Sequence, residues 1–265
     1  MFKVSCIQLR SDDNLENNLK KTIYYIKKAV SKKSDFILTP ETSSFFSLKK
    51  EKLLKVAKTM NEDRYLKEIK KISKLYRKWI LIGSIITKIG KRKLVNRSVL
   101  IGPDGKIKIY YDKIHMYDAK LSKKEYYFES KLTSPGKKIK KFKLPWGVLG
   151  MSICYDLRFP TMFRKLAKSG SIFISVPSAF TKTTGEKHWH TLLKARAIEN
   201  FCYVFAPAQS GIHYNKRVTY GHSVIISPDG KIIAEKARGE GIISANIDPT
   251  LPNEIRKKIP SLKID

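Results

Sequence analysis

Glu41, Lys113 and Cys154 each stand where a β-like apolar run stops. Glu41 closes Leu38-Thr39-Pro40-Glu41, Lys113 lies in Tyr111-Asp112-Lys113-Ile114-His115, and Cys154 follows Gly150-Met151-Ser152-Ile153. An acid, an amine and a thiol are the groups that thiol-dependent hydrolysis of an amide requires. Amide carbons are poor electrophiles, so a covalent acyl intermediate that splits the reaction into two steps is an advantage. Cys154 would supply the nucleophile. Glu41 would take the thiol proton and later activate water, while Lys113 and the backbone N–H of Tyr155 would hold the tetrahedral oxyanion. A strand ending at Cys154 and a helix opening at Phe159-Pro160 have the strand–turn–helix pattern that exposes a nucleophile, and a helix N-terminus favours a thiolate. Singly, each residue has a plainer reading: a buried small hydrophobe, a surface acid, one lysine among many. Their joint placement at strand ends carries more weight, because ligands of α/β sheets collect there.

The elements needed to position these groups follow from periodicity. Val4 to Leu9 reads as a strand, and Leu15, Leu19, Ile23, Ile26 and Val30 mark one stripe of an amphipathic helix. Phe36-Ile37-Leu38 is a short buried strand that delivers Glu41. A helix pair follows, one piece around Leu53, Leu54 and Val56 and another carrying Leu66, Ile69, Ile72 and Tyr76. Trp79 to Ile86 is a continuous apolar run suited to a central strand. Leu94–Ile101 and Lys106–Tyr111 flank Pro103-Asp104-Gly105 and form a hairpin leading to Lys113. Residues 115–136 read as a long loop, a length that usually serves function. Gly147–Ile153 is the strand before Cys154, and the next helix stops at Gly170. Ile172–Val176 is a strand, Glu186–Asn200 a helix, and Phe201–Ala206 a strand. A second hairpin turns at Pro228-Asp229-Gly230, and Ile242–Ile247 closes the sheet. No repeat or linker interrupts this order, so residues 1–265 read as a single α/β domain.

Composition narrows the class further. Hydrophobic residues make up 42% of the 265, with 13 Tyr and 12 Phe, enough for a substantial core. No apolar stretch is long enough to span a membrane, and the N-terminus reads as a strand rather than a secretory signal. The 3 cysteines are far apart, which fits a reduced, cytoplasmic chain and offers no zinc pattern. A formal charge of +31 raises the prospect of nucleic-acid or anionic-surface binding. The 54 basic residues are, however, scattered through every polar stretch, without a nucleic-acid-binding signature beside them. The expectation is therefore no specific nucleic-acid partner and no membrane, with the charge steering anionic substrates inward.

The three blocks around Glu41, Lys113 and Cys154-Tyr155-Asp156-Leu157-Arg158-Phe159-Pro160 resemble the signatures of the nitrilase, or carbon–nitrogen hydrolase, superfamily. The resemblance runs from Val4 to about Pro260. It implies an αββα sandwich, homodimers or higher homo-oligomers, no cofactor and no metal. Glu41 would be the general base, Lys113 the oxyanion-stabilising amine and Cys154 the nucleophile that forms a thioester. Glu129, in Phe128-Glu129-Ser130, matches a second glutamate that helps position Lys113 and the substrate; without the resemblance it is a loop acid.

Segments after Cys154 are similar to the branch containing deaminated glutathione amidase and ω-amidase. They include Pro177-Ser178-Ala179-Phe180, Ala208-Gln209-Ser210-Gly211, Lys216-Arg217 and Tyr220-Gly221-His222-Ser223, and they lean toward the first of these. Both activities imply a small-molecule amide whose α-keto acid head carries a carboxylate. Arg158, four residues beyond Cys154, suits that carboxylate, its alternative being a salt bridge to Asp156 or Glu199. Tyr155 joins it as a substrate-binding candidate. Phe180 and Thr184 match substrate-contacting positions of the branch, as a wall and a hydroxyl donor. His188 and His190, two apart on a helix, point away from each other and argue against a metal pair. Arg196 and Glu199 read as a helix-surface or interface pair. The chain stops soon after Pro260, at Leu262-Lys263-Ile264-Asp265, where members of the branch carry a longer tail.

Overall fold

Period-two alternation decides how the strands pack. Val4, Cys6, Phe36, Leu38, Leu81 and Leu100 belong to one buried cluster, while the intervening Ile7, Leu9, Ile37, Ile80, Ile82, Val99 and Ile101 belong to another. Successive side chains on a strand face opposite ways, so a sheet built from these runs is apolar on both faces and must be covered on both. The computed structural model describes residues 1–91, 93–214 and 216–264 and arranges them accordingly; Asp265 of the short C-terminus lies outside them.

In chain order the elements are β1 (Phe2–Gln8), α1 (Leu15–Ser31), β2 (Phe36–Leu38), α2 (Lys50–Val56), α3 (Arg64–Tyr76), β3 (Trp79–Lys88), β4 (Leu94–Ile101) and β5 (Ile107–Asp112). Next come β6 (Asp118–Lys120), β7 (Tyr126–Phe128), β8 (Lys140–Leu144), β9 (Gly147–Met151), α4 (Pro160–Lys168), β10 (Ser171–Ser175), α5 (Lys182–Asn200) and β11 (Tyr203–Ala206). The chain ends with β12 (Ser210–Ile212), β13 (Val218–Tyr220), β14 (Ser223–Ile226), β15 (Ile232–Lys236), β16 (Gly241–Ile247), α6 (Leu251–Lys258) and α7 (Ser261–Ile264).

Two six-stranded sheets result, in the orders β16-β1-β2-β3-β4-β5 and β15-β14-β11-β10-β9-β8. Each has three parallel central strands with antiparallel neighbours outside them. Helices α1 and α3 cover the outer face of the first sheet through Leu19, Ile26, Tyr65, Leu66 and Ile69. Helices α4 and α5 cover the second through Phe163, Leu166, Trp189, Leu193 and Ala197. The architecture is the four-layer αββα sandwich. Caps fix the helix starts: Asn14 accepts from the Asn17 N–H, Asp63 accepts from the Leu66 N–H, and Pro160 opens α4. No helix among the described residues is long and apolar enough to cross a membrane.

Four local differences from the sequence reading matter. The segment 115–136 is not all loop, because β6 and β7 pair within it. Strand β8 and helices α6 and α7 were not expected. Helix α5 begins at Lys182 rather than Glu186, since the Thr181 side chain caps it. Gly185 therefore lies inside the helix, where a Cβ would meet the Tyr220 ring at 2.4 Å.

Gly83 in β3 leaves no room for a side chain. A Cβ there would lie 2.0 Å from the Thr39 carbonyl oxygen, 2.5 Å from that of Pro40 and 2.6 Å from the Pro177 Cβ. Its N–H donates to the Thr39 hydroxyl at 2.9 Å. The expected outcome for Gly83→Ala is a loss of about 1–3 kcal/mol or more, from backbone displaced by overpacking. Urea unfolding measures it, and a change within about 0.5 kcal/mol, typical of open surface sites, would contradict this reading.

Candidate active site

The carboxyl ends of β2, β9 and β10 converge, and the chain leaving β5 joins them. This is where ligands of such sheets bind. Glu41, Lys113 and Cys154 are all buried here, with at most 6% of their surface exposed. Lys113 Nζ donates to Glu41 Oε1 at 3.0 Å and to Glu129 Oε2 at 2.7 Å. Asn96, from β4, donates to both acids, at 2.9 Å to Glu41 Oε1 and 3.1 Å to Glu129 Oε1. The second Glu41 oxygen accepts from the Ala179 N–H at 2.8 Å, and the Cys154 thiol stands near enough to this carboxylate for each to shift the other's proton affinity. Of the sequence-predicted quartet, Glu41, Lys113 and Glu129 are thus hydrogen-bonded together, with the Cys154 thiol beside them.

Cys154 owes its position to a sharp elbow. Its φ is 48°, in the left-handed region a β-carbon disfavours. Its N–H donates to the Pro177 carbonyl at 2.9 Å, and the Ile153 N–H donates to Asp156 Oδ2 at 2.9 Å. A turn of 3₁₀ helix, Cys154–Arg158, follows, so the α4 N-terminus stands farther from the sulfur than the sequence pattern suggested. Asp156 is fully buried and also accepts from the Tyr111 hydroxyl at 2.7 Å and from the His115 N–H at 3.0 Å. One carboxylate therefore locks the Cys154 elbow to both sides of Lys113.

Electrostatics place the protons. Burial pushes the Cys154 thiol up and the Glu41 charge adds to this, outweighing the pull of Lys113. Burial by itself would raise Glu41 too, but Lys113 and the neighbouring thiol bring it below the usual carboxylate range. Burial opposes the Lys113 charge, yet Glu129 and Glu41 hold the amine firmly as an ammonium. At rest the proton sits on sulfur and Glu41 is ionised. The thiolate expected from a helix terminus gives way to a neutral thiol beside an ionised Glu41.

A cavity of about 350 Å³ opens above the cluster, within the roughly 300–1,000 Å³ of small-molecule sites. Its walls include Phe46, Tyr117, Tyr127 and Arg217. The Arg217 guanidinium donates to the Ala179 carbonyl at 2.6 Å and lies over the Tyr127 ring at 4.8 Å. Tyr155, Arg158, Phe180 and Thr184 line a separate, narrow crevice that meets the cavity at Cys154, Tyr117, Ala179 and Arg217. Arg158 forms neither anticipated salt bridge: its guanidinium lies 3.3 Å from His188 Nδ1 and over the Phe180 ring at 5.3 Å. Glu199 instead accepts from Arg196 at 2.9 Å, but Arg196 is buried and its Nε donates to the Leu157 carbonyl at 3.0 Å, so the pair is not the helix-surface one expected. Asn96, Tyr117 and Tyr127 were not anticipated at the site, and Arg217 only as part of a motif. Nothing in spacing marks them, since they arrive from β4, from the β6–β7 excursion and from the segment just before β13.

With this geometry in place, the likeness to known proteins is decisive. Residues 3–257 match the carbon-nitrogen hydrolase family, and the chain belongs to it. It is a hydrolase of carbon–nitrogen bonds other than peptide bonds. Among its relatives, the deaminated glutathione amidase of Synechocystis is 35% identical over 99% of this chain and 97% of its own. The omega-amidase NIT3 of Saccharomyces cerevisiae is 32% identical over 99% of this chain and 92% of its own. The crystal structure of the Caenorhabditis elegans NitFhit protein superposes with a TM-score of 0.93 at 34% identity, covering 100% of this chain and 65% of that one.

His213 supports the cavity from behind. It is buried, stacks on Phe46 with ring centroids 4.1 Å apart, and contacts the Ser11 carbonyl and the Thr219 hydroxyl, each at 2.7 Å. The neutral ring satisfies both, with Nδ1 donating and Nε2 accepting. Burial holds its pKa down to about 4, against the opposing Ser11 bond and with help from Arg217. The unfolded chain therefore binds a proton below about pH 6.5 that the folded chain refuses until about pH 4. This contribution is complete above pH 6.5 and declines as pH falls, by about 1.4 kcal/mol per unit across that window. His213→Gln should flatten this slope when unfolding free energy is followed against pH; an unchanged slope would refute the assignment.

Proposed function

We propose that the chain is a cysteine-dependent amidase acting on a small linear amide that also bears a carboxylate, with deaminated glutathione the favoured substrate. The observation that carries this is the buried Glu41–Lys113–Glu129–Cys154 cluster on the cavity floor. As Sγ attacks the amide carbon, its proton passes to Glu41. The developing oxyanion is held by Lys113 and the Tyr155 backbone N–H. Collapse expels the amine, which takes the proton from Glu41 and leaves a thioester on Cys154. Water, deprotonated by Glu41, then attacks the thioester, and the departing sulfur regains a proton. Glu129 keeps Lys113 charged and aimed, acting through it rather than on the substrate. For deaminated glutathione the products are 2-oxoglutarate and cysteinylglycine.

The relatives favour two readings of the same site. The deaminated glutathione amidase of Synechocystis supports the first, and the omega-amidase of yeast supports hydrolysis of 2-oxoglutaramate to 2-oxoglutarate and ammonia. For the carboxylate shared by both, Arg217 is the better-placed cation, because it lines the main cavity as well as the crevice. Arg158, Tyr155, Phe180 and Thr184 then serve the crevice beside Cys154. The three free, buried cysteines accord with a reducing, cytoplasmic setting. A homodimer follows from the family resemblance. We take residues 1–265 as one hydrolase domain.

Mass spectrometry of the protein quenched during turnover should find an acyl adduct on Cys154, its mass identifying the substrate. Cys154→Ala should lose at least about a thousandfold in kcat while retaining its melting temperature. Undiminished turnover in that variant would end the proposal, and faster release of ammonia from 2-oxoglutaramate than of cysteinylglycine from deaminated glutathione would select the second reading.

Arginine substitutions test the anchor separately. Arg217→Leu should raise KM roughly 10- to 100-fold for a carboxylate-bearing amide, the worth of a charge-assisted hydrogen bond. Arg158→Leu should change it less, and the reverse ranking would return the role to Arg158.

A further inference from the structure

His190 and His222 converge on one carboxylate. His190 Nε2 lies 2.9 Å from Glu235 Oε1, and His222 Nδ1 lies 2.6 Å from the same oxygen. These three atoms all fall within 4.8 Å of one another. The residues come from three separate pieces of chain: α5, the corner between β13 and β14, and the edge strand β15. Periodicity along α5 gave no hint of this. His188 turns to Arg158, and the carboxylate His190 meets, Glu235, is 45 positions away on β15.

We propose that His190, His222 and Glu235 form a binding site for a borderline divalent transition metal, with zinc the best fit, that ties α5 to the β14–β15 hairpin. Two imidazole nitrogens and one carboxylate oxygen are the donor set of a three-ligand zinc site with a position left for water. The set disfavours magnesium and calcium, which take oxygen ligands.

The site is pre-organised. His222 has φ of 55°, and its N–H donates to the Ala237 carbonyl at 2.9 Å. Its own carbonyl accepts from Trp189 Nε1 at 2.8 Å. The ring is stacked on Tyr220 with centroids 4.1 Å apart, and the His190 ring packs edge-on against both. The side chains remain 28%, 19% and 29% exposed for His190, His222 and Glu235, so an ion can enter and keep a water ligand. The ring nitrogens need move only a little apart to exchange one shared oxygen for one shared ion. Because Trp189 packs on Phe180 at 5.0 Å, the clip would also brace the wall of the crevice beside Cys154. It is remote from the proposed proton transfers and takes no part in them.

The untagged Cys154→Ala protein, in which the reactive thiol no longer competes for metal, is titrated with Co²⁺ as a spectroscopic probe and then with Zn²⁺. The expected result is saturable binding of one equivalent of Co²⁺ with visible d–d absorption, displaced by Zn²⁺. Zn²⁺ at a hundredfold excess over its Kd should raise the melting temperature by about 5 °C. His190→Gln and Glu235→Gln, made separately in that background, should each weaken binding at least tenfold and abolish the thermal shift. They lie on different elements, so a folding defect in one leaves the other to decide. Absence of saturable binding, or affinity unchanged in either folded variant, would overturn the site and reduce the cluster to a histidine pair hydrogen-bonded to an acid. Neither result bears on the amidase reading, which rests on Cys154.

Discussion

A buried ammonium organises this protein. Lys113 is 2% exposed, and stripping water from its charge costs several kcal/mol even after relaxation. Two carboxylates must reach it from Glu41, 72 positions away, and from Glu129, 16 positions away. Removing either would leave charge stranded in the interior, so the three segments are obliged to meet. What the arrangement contributes is position and proton affinity rather than net stability, since buried ion pairs often only break even against apolar packing. Lys113 keeps Glu41 ionised, and burial keeps the Cys154 proton on sulfur.

That cluster requires the two sheets to register against each other at their strand ends, and two buried glutamines enforce it. Gln8, at the end of β1, accepts from the Ser223 N–H at 2.8 Å and donates to the Gly239 carbonyl at 2.8 Å. Gln209 donates to the Glu41 carbonyl at 2.9 Å and to the Ser11 hydroxyl at 2.8 Å, and accepts from the Ser11 N–H at 2.9 Å. An isolated bridge pairs Leu9, just beyond β1, with Gln209, just beyond β11. Unpaired polar groups are costly at such depth, so these contacts discriminate strongly against slippage between the layers. The backbone of Glu41 is thereby held from the second sheet while its strand belongs to the first.

Legibility in the sequence followed the range of the interactions. The central strands stood out because burial on both faces leaves long apolar runs, as in Trp79–Lys88 and Ser171–Ser175. Residues at the ends of such runs were therefore placed well, which is why Glu41, Lys113 and Cys154 could be read together. Strands β6 and β7 were missed because three residues carry no measurable period. The start of α5 was missed because Gly185 reads as a breaker, and its real constraint is the Tyr220 ring, 35 positions away in sequence. Arg158 was favoured for its nearness to Cys154 along the chain, but the short 3₁₀ turn aims it toward His188 and the narrow crevice. Arg217 reaches the main cavity through a hairpin whose course no local pattern specifies.

This division also separates the chemistry from the choice of substrate. Glu41, Lys113 and Cys154 sit on or beside strand ends, clamped by Asp156, Asn96 and backbone donors, where movement is least tolerated. The cavity walls come from connections instead: Phe46 precedes α2, Tyr117 and Tyr127 belong to the β6–β7 excursion, and Arg217 lies just before β13. His213 joins two of these walls, since it stacks on Phe46 while bonding Thr219 in β13. Connections can change length and side chains at little cost to the sheets, so they are where selectivity among amides is free to vary. The buried ammonium and its two acids have no such freedom. A change there strands a charge, whereas a change at Phe46 or Tyr127 falls on the cavity wall and leaves the buried charges paired.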